Sequence, residues 1–228
     1  MKTCIRFHPP YYNPGAVESF YEKMASKGWL LSDRLACFSQ FRKAEPQKLR
    51  YRIEYCTGPF GGRAEMPEEQ LALYRDCGWT LVDEKRQSYL FCAPAGNSAP
   101  ELYNDPKQQA ETVNGMRRNA ILALCLLPAM ILLCLFVNSF RGLFLSDIIW
   151  LTFVTVWLLR SILGILGLYR RLRAGLPLRR DAAGKPWYIL WRLATVVLFV
   201  VCSVLSYRSG SYLLATNAVT LALLFNDG

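Results

Sequence analysis

Polarity changes once along this chain, at Asn119, and that boundary limits what the sequence can fold into more than any other feature. Before it, charged, turn-forming and apolar residues are mixed as in a water-soluble domain. After it come four apolar runs, Asn119 to Phe140, Leu143 to Tyr169, Trp187 to Tyr207 and Ser211 to Phe225, punctuated by arginines. A helix rising about 1.5 Å per residue needs roughly 20 apolar residues to cross a hydrocarbon core of about 30 Å. The first three runs meet that length. The last has 15 residues; the tight turn Arg208, Ser209, Gly210 before it and its lack of a polar stripe favour a short span over an interfacial helix. The expected organisation is a soluble domain over 1–95, a juxtamembrane linker over 96–118 and a four-helix membrane region over 119–228, with spans at about 119–140, 143–169, 187–207 and 211–225.

The net charge of +10 is unevenly placed: 17 basic and 14 acidic residues precede Asn119, a net of +3, and the 10 basic and 3 acidic residues after it give +7. A nucleic-acid binder would carry the excess on its soluble half, so neither DNA nor RNA is an expected partner. The surplus sits beside the apolar runs instead. Arg117 and Arg118 precede the first, and Arg170, Arg171, Arg173, Arg179, Arg180 and Lys185 follow the second, whereas the other turns hold only Arg141 and Arg208. Positive-inside bias then places the soluble domain, the long loop and both termini in the cytoplasm of a multi-pass protein in a bacterial cell membrane. Met1 to Pro14 lacks the apolar core of a cleavable signal, which agrees with that orientation. Arg160 and Arg192 fall within runs, no more than about two or three turns from their cytoplasmic ends, where long side chains snorkel to the headgroups.

Two stretches of the soluble half read alike at an offset of fifty residues. Val17 to Trp29 (VESFYEKMASKGW) and Pro67 to Trp79 (PEEQLALYRDCGW) each carry a helical apolar stripe and close on Gly-Trp. Gly28 and Gly78 suit the left-handed position that ends a helix. Asn13 with Pro14, and Pro67 with Glu68 and Glu69, suit the starts. Extended chain follows each Gly-Trp: Trp29 to Phe38, Ser39 to Ala44 and the alternating Leu49 to Cys56 after the first, Trp79 to Glu84 and Ser88 to Ala93 after the second. With Thr3 to His8 in front, the fold class is α+β, a duplicated β-α-β-β domain with one mainly antiparallel sheet, both helices on one face, and Trp29 and Trp79 packed where helix meets strand. Ala93 to Pro100 (APAGNSAP) is a turn-rich break.

Residues capable of chemistry are sparse. Cys4 and His8 on one strand stand about 13 Å apart at 3.3 Å per residue, beyond hydrogen-bond reach, and His8 beside Pro9 and Pro10 reads as an exposed strand end. The eight cysteines include no C-x-x-C pair and read as small buried hydrophobes in a reducing compartment. Phosphate-loop, dinucleotide and zinc-protease motifs are absent, and no catalytic residue, cofactor or metal is expected. One candidate interaction face stands out, Arg42, Arg50, Tyr51, Arg52 and Tyr55, a basic hairpin interleaved with aromatics that suits protein or anionic-lipid contact.

The helix ending EKMASKGW, the strand YRIEY, the second RDCGW, the strand SYLF and APELYNDP just before the runs resemble, in that order and spacing, the bacterial family known as domain of unknown function 2812. The resemblance covers Cys4 to Arg118. It implies a cytoplasmic domain followed by membrane helices and a genomic neighbourhood of PadR-type transcriptional regulators. It brings no catalytic residue and no substrate. The expectation is therefore a membrane-tethered sensor or adaptor that meets membrane lipids and binds a cytoplasmic protein, not an enzyme. The alternative is a small transporter or transporter accessory subunit, which would need Arg160, Arg192 or Asp147 to face a cavity.

Overall fold

The computed structural model describes residues 2–35, 38–56, 65–85, 88–96, 99–102, 105–139 and 145–180, with isolated helical residues at 190, 194, 197 and 201. The last two expected spans and Arg192 lie outside the described residues apart from those four positions. The N-terminal half follows the expected element order: β1 (Thr3–Phe7), α1 (Pro14–Ser26), β2 (Trp29–Leu35), β3 (Phe38–Lys43), β4 (Leu49–Tyr55), α2 (Glu68–Asp76), β5 (Thr80–Lys85) and β6 (Ser88–Pro94). Both helices end as their glycines require. Gly28 and Gly78 hold φ of 75° and 86°, and their N–H groups donate to Ala25 and Arg75 at 2.9 Å. At the starts, Pro14 occupies the first turn of α1 and Glu68 and Glu69 that of α2, but the Asn13 side chain makes no capping bond.

The expectation of a single sheet is wrong. The strands form two separate three-stranded antiparallel sheets, ordered β1-β3-β2 and β4-β6-β5. Each pairs its last strand between the other two, and each carries a register shift at the same place, between Leu31 and Asp33 in one and between Leu81 and Asp83 in the other. Nor do the helices share a face. Helix α1 lies between the sheets, the Tyr21 ring standing 6.2 Å from Phe41 of β3 and 5.8 Å from Tyr51 of β4. Helix α2 covers the far side of the second sheet, with Tyr74 edge-on to Phe91 at 5.2 Å. Aromatic pairs at these separations add to the burial of their large apolar areas. The arrangement follows from the apolar content of the strands: β4 buries Tyr51, Ile53 and Tyr55 on one side while its neighbour β6 buries Phe91 on the other, so the second sheet needs a cover on both faces.

Where β2 and β5 approach, ion pairs take the place of a ladder. The Arg34 guanidinium is fully buried, binding the Asp83 carboxylate through Nε, the Ser88 hydroxyl at 3.2 Å and the Ser88 carbonyl at 3.1 Å. Lys85 reaches Asp33 at 2.9 Å beside it, half exposed. His8 also departs from expectation. It is completely buried, its ring nitrogens 2.8 Å from the Pro9 carbonyl and 3.2 Å from that of Leu35, with the Tyr11 ring 4.6 Å away. The two prolines turn the chain inward behind it and do not carry the strand end into solvent.

The core does not stop at residue 95. Ala99 and Leu102 pack beneath α2 with Trp79 and Phe91. After α3 (Pro106–Thr112), capped by the Asp105 carboxylate on the Lys107 N–H at 2.9 Å, come α4 (Asn114–Ser139) and α5 (Leu145–Arg173). The main cluster around Val17, Tyr21, Phe41 and Ile53 takes in Ala110 and Val113 from the linker and Leu168 and Leu172 from α5. The Tyr12 ring lies so close to Gly164 that a Cβ there would stand 2.6 Å from it. Among the described residues one helix, Leu151–Arg173 within α5, is long and apolar enough to cross a membrane.

Candidate functional site

The five residues of the expected interaction face do not share a surface. Arg42 is exposed on β3, while Tyr51 and Tyr55 are buried in the core. Burial raises both phenols above their ordinary pKa, and the Tyr55 hydroxyl donates to the Tyr11 carbonyl at 2.5 Å. Strand alternation sends Arg50 and Arg52 to the opposite side, over the Trp79 indole at 5.3 and 5.9 Å from its centre. There they meet Glu101 from the linker. Arg52 donates to its two carboxylate oxygens through Nε and Nη2, both at 2.7 Å, and Arg50 joins at 3.3 Å. The forked geometry holds linker to strand more firmly than a single-point ion pair. The Arg52 hydrogen bonds, ahead of the opposing effect of partial burial, keep the Glu101 carboxyl below its ordinary pKa.

This pair forms one wall of a cleft of about 330 Å³ between β4, the linker and the segment after α5, closed by Leu102, Pro106, Gln109, Pro177, Leu178 and Arg180. At its floor is Glu18, on the turn of α1 that also carries Val17 and Tyr21. The carboxylate is fully buried. Oε1 accepts the Ile53 N–H of β4 at 3.1 Å; Oε2 accepts no hydrogen bond among the described residues and stands 3.6 Å from Arg52 and 3.7 Å from Arg180. Burial pushes the Glu18 pKa from 4.5 up to about 7, against the pull of Arg52, the Ile53 N–H and Arg180. Sequence reasoning missed Glu18; its one signal was a carboxylate inside the apolar stripe of α1, three residues before Tyr21. The cleft can bind a proton near neutrality and can hold the segment after α5 by charge. Catalysis would need a second polar group paired with Glu18 to move that proton to a substrate.

A raised carboxyl pKa has a definite sign. The folded chain keeps its Glu18 proton where the unfolded chain, near 4.5, has lost it, so stability is fullest below about pH 4.5, falls as pH rises through about 7, and then levels. The total is on the order of 3 kcal/mol. Denaturant melts of the full chain in detergent between pH 5 and 8 should therefore show a falling midpoint. Glu18→Gln should flatten that fall, and an unaltered slope in the variant would assign the titration elsewhere.

The arginines expected at the membrane interface gather where α4 and α5 leave the core. Arg117 and Arg173 flank the Tyr169 ring at 4.5 and 5.9 Å from its centre, and the Arg171 Nε donates to the Pro177 carbonyl at 2.8 Å. Arg118 and Arg170 are exposed and Arg160 is half-buried. Cys4 and Cys92 pack against the main cluster, and Cys56 and Cys77 against the second. Burial raises the Cys56 thiol to about 11, which suits packing and not reactivity.

Comparison with known proteins finds no match among curated proteins and none among solved structures. One family model does match, described as "Protein of unknown function (DUF2812)", over residues 15–126. That span opens at the start of α1, takes in both sheets from β2 onward, and ends inside α4, so it includes the Glu18 cleft's α1, β4 and linker walls and the Gly-Trp pairs. Over residues 15–126 this chain belongs to the DUF2812 family of proteins of unknown function.

Proposed function

We propose that the chain is a membrane-anchored sensor or adaptor, in which two β-α-β-β units descended from one form a cytoplasmic domain that binds a protein partner. One observation carries the reading: Leu168 and Leu172 of α5 are buried in the domain core, so the helix and the domain share packing instead of being joined by a free tether. A domain that served only as cargo would need no such contact. On the same two helices, large apolar residues are exposed from Ile121 to Phe136 and from Ile149 to Leu163. Ile121 to Ser139 and Leu145 to Leu163 each rise about 27 Å at ~1.5 Å per residue, close to a hydrocarbon core of roughly 30 Å. On this reading the first two spans would lie at about 121–139 and 145–163, inside the expected 119–140 and 143–169, and the last turns of α5, the C-terminal part of the apolar stretch Leu151–Arg173, would stand clear of the bilayer as a stalk. The four-span reading rests, for its second pair, on sequence alone.

Arg160 lies one turn inside Leu163, which supports snorkelling over a transport site. A PadR-type regulator is the candidate partner, on the strength of the family resemblance. Two measurements test the proposal. Reporter fusions after Arg118, Lys185 and Gly228 should all report cytoplasm; external labelling at Lys185 would overturn the orientation. Crosslinking in intact cells should recover one cytoplasmic protein with the wild type, and less of it when Leu168→Asp detaches the stalk. Capture of nothing cytoplasmic, together with arginine-dependent solute uptake through Arg160, would favour the transporter.

A further inference from the structure

The polar groups around the Glu18 cleft divide into those already paired and those left open. Arg52 is fully engaged: Nε and Nη2 donate to Glu101 and Nη1 to the Tyr51 carbonyl, each at 2.7 Å. Arg180 is not. Its nitrogens come within 3.7 Å of Glu18 and 3.9 Å of Glu22, too long for hydrogen bonds, and its side chain is 46% exposed. Nor is it needed to clamp the segment after α5. Leu178 packs against the main cluster, the Arg171 Nε donates to the Pro177 carbonyl, and the chain lies so close to α1 that a Cβ on Gly15 would stand 2.9 Å from Leu178 and from the Arg179 carbonyl oxygen. The Arg180 guanidinium therefore reaches the cleft with its donor fork open.

Glu18 supplies the second open group. Its Oε2 is buried and accepts no hydrogen bond among the described residues, and buried polar atoms are as a rule paired. The charges around that oxygen select the partner. Arg52 at 3.6 Å and Arg180 at 3.7 Å repel an ammonium, while Glu22 and Glu101 beside those arginines repel a phosphate dianion. A singly charged carboxylate fits both constraints. Its two oxygens match the planar Arg180 fork, and a protonated Glu18 donates its O–H to one of them, as two carboxyl groups sharing one proton do. The rest of the wall is apolar, formed by Ile53, Leu102, Pro106, Pro177 and Leu178, with the Gln109 amide as a further donor. At about 330 Å³ the cleft lies at the small end of the range that small-molecule sites occupy. We propose that it binds a small monocarboxylic acid, the carboxylate held between the Arg180 guanidinium and the Glu18 carboxyl and the apolar body against Leu102, Pro106 and Leu178. The acid is then the input of the sensor proposed above; its binding needs neither a protein partner nor a bilayer.

Equilibrium dialysis of labelled benzoate and hexanoate against the full chain in detergent, with empty micelles as the blank, tests this. Both acids should bind saturably, at one site per chain. Arg180→Gln, at an exposed position, should weaken binding about tenfold or more while the melting midpoint stays in place. The bound carboxylate also requires the proton on Glu18, whose pKa burial raises to about 7 against the pull of Arg52, the Ile53 N–H and Arg180, with Glu22 adding to the rise. Two other groups feel the same space without titrating near neutrality: the Tyr55 phenol of β4, raised by burial, and Glu101 of the linker, lowered by Arg52. Wild-type affinity should therefore fall about tenfold from pH 6 to pH 8. Glu18→Gln, neutral throughout, should bind more weakly than wild type at pH 6 but no worse at pH 8 than at pH 6, with a melt establishing that it folds. The proposal is overturned if neither acid saturates, if Arg180→Gln binds undiminished, if wild type and Glu18→Gln share one pH profile, or if hexylammonium competes with benzoate. Protein capture is read separately by crosslinking, so failure of either result leaves the other standing.

Discussion

Arg34→Ala should cost the folded chain about 3 to 5 kcal/mol, measured by denaturant unfolding of the full chain in detergent. The substitution leaves the Asp83 carboxylate, 15% exposed, without its cation and strips the Ser88 carbonyl and hydroxyl of a donor. The neighbouring bridge supplies the control. Lys85 and Asp33 cross the same junction at 2.9 Å with side chains 33% and 41% exposed, so Lys85→Ala should cost no more than about 1 kcal/mol. Replacing both buried partners, Arg34→Met with Asp83→Leu, should recover much of the loss, because the desolvation of both ions disappears with the pair. Equal effects at Arg34 and Lys85 would mean that the junction is hydrated and that burial does not set its strength.

Trp79→Ala is the second large effect, again about 3 to 5 kcal/mol. Its indole is 1% exposed, donates to the Pro100 carbonyl at 2.9 Å and lies beneath both Arg50 and Arg52. Trp29 holds the matching place in the first unit but is only partly buried, with the Lys43 ammonium 4.9 Å above its ring, so Trp29→Ala should cost roughly 1 to 2 kcal/mol. Local pattern alone made the two tryptophans equals, each expected to be buried. Acrylamide quenching separates them: the emission lost in Trp29→Ala should be the more quenchable. If both variants melt alike, the second cluster contributes less than its packing indicates.

Elements governed by neighbours within a few residues were legible in the sequence. The apolar stripes of α1 and α2, the glycines that close them, the alternation in β4 and the Gly-Trp matches all reported themselves locally, because caps and periodicity act within one or two turns. Which face meets which did not. Tyr51 and Arg52 are adjacent on β4, and the sequence could not tell that the tyrosine side packs on a helix thirty residues earlier while the arginine side folds onto a glutamate forty-nine residues later. The same difficulty hid Arg34, Glu18 and His8, all polar residues whose burial is permitted only by partners distant in sequence. The candidate face failed for this reason: it joined residues close in sequence that strand geometry sends to opposite sides.

The shared core also fixes an order of events during synthesis. Val17, Tyr21, Phe41 and Ile53 are made early, but the cluster they form is completed by Leu168 and Leu172, more than a hundred residues later. The N-terminal domain therefore waits, its last apolar wall missing, until α4 and α5 have been made and laid together. On the membrane-anchored reading proposed above, a chain whose helices fail to insert would keep that wall open and be left to aggregate or be degraded. On that reading membrane insertion becomes a condition of the domain's survival, and the surviving population is one already checked for placement.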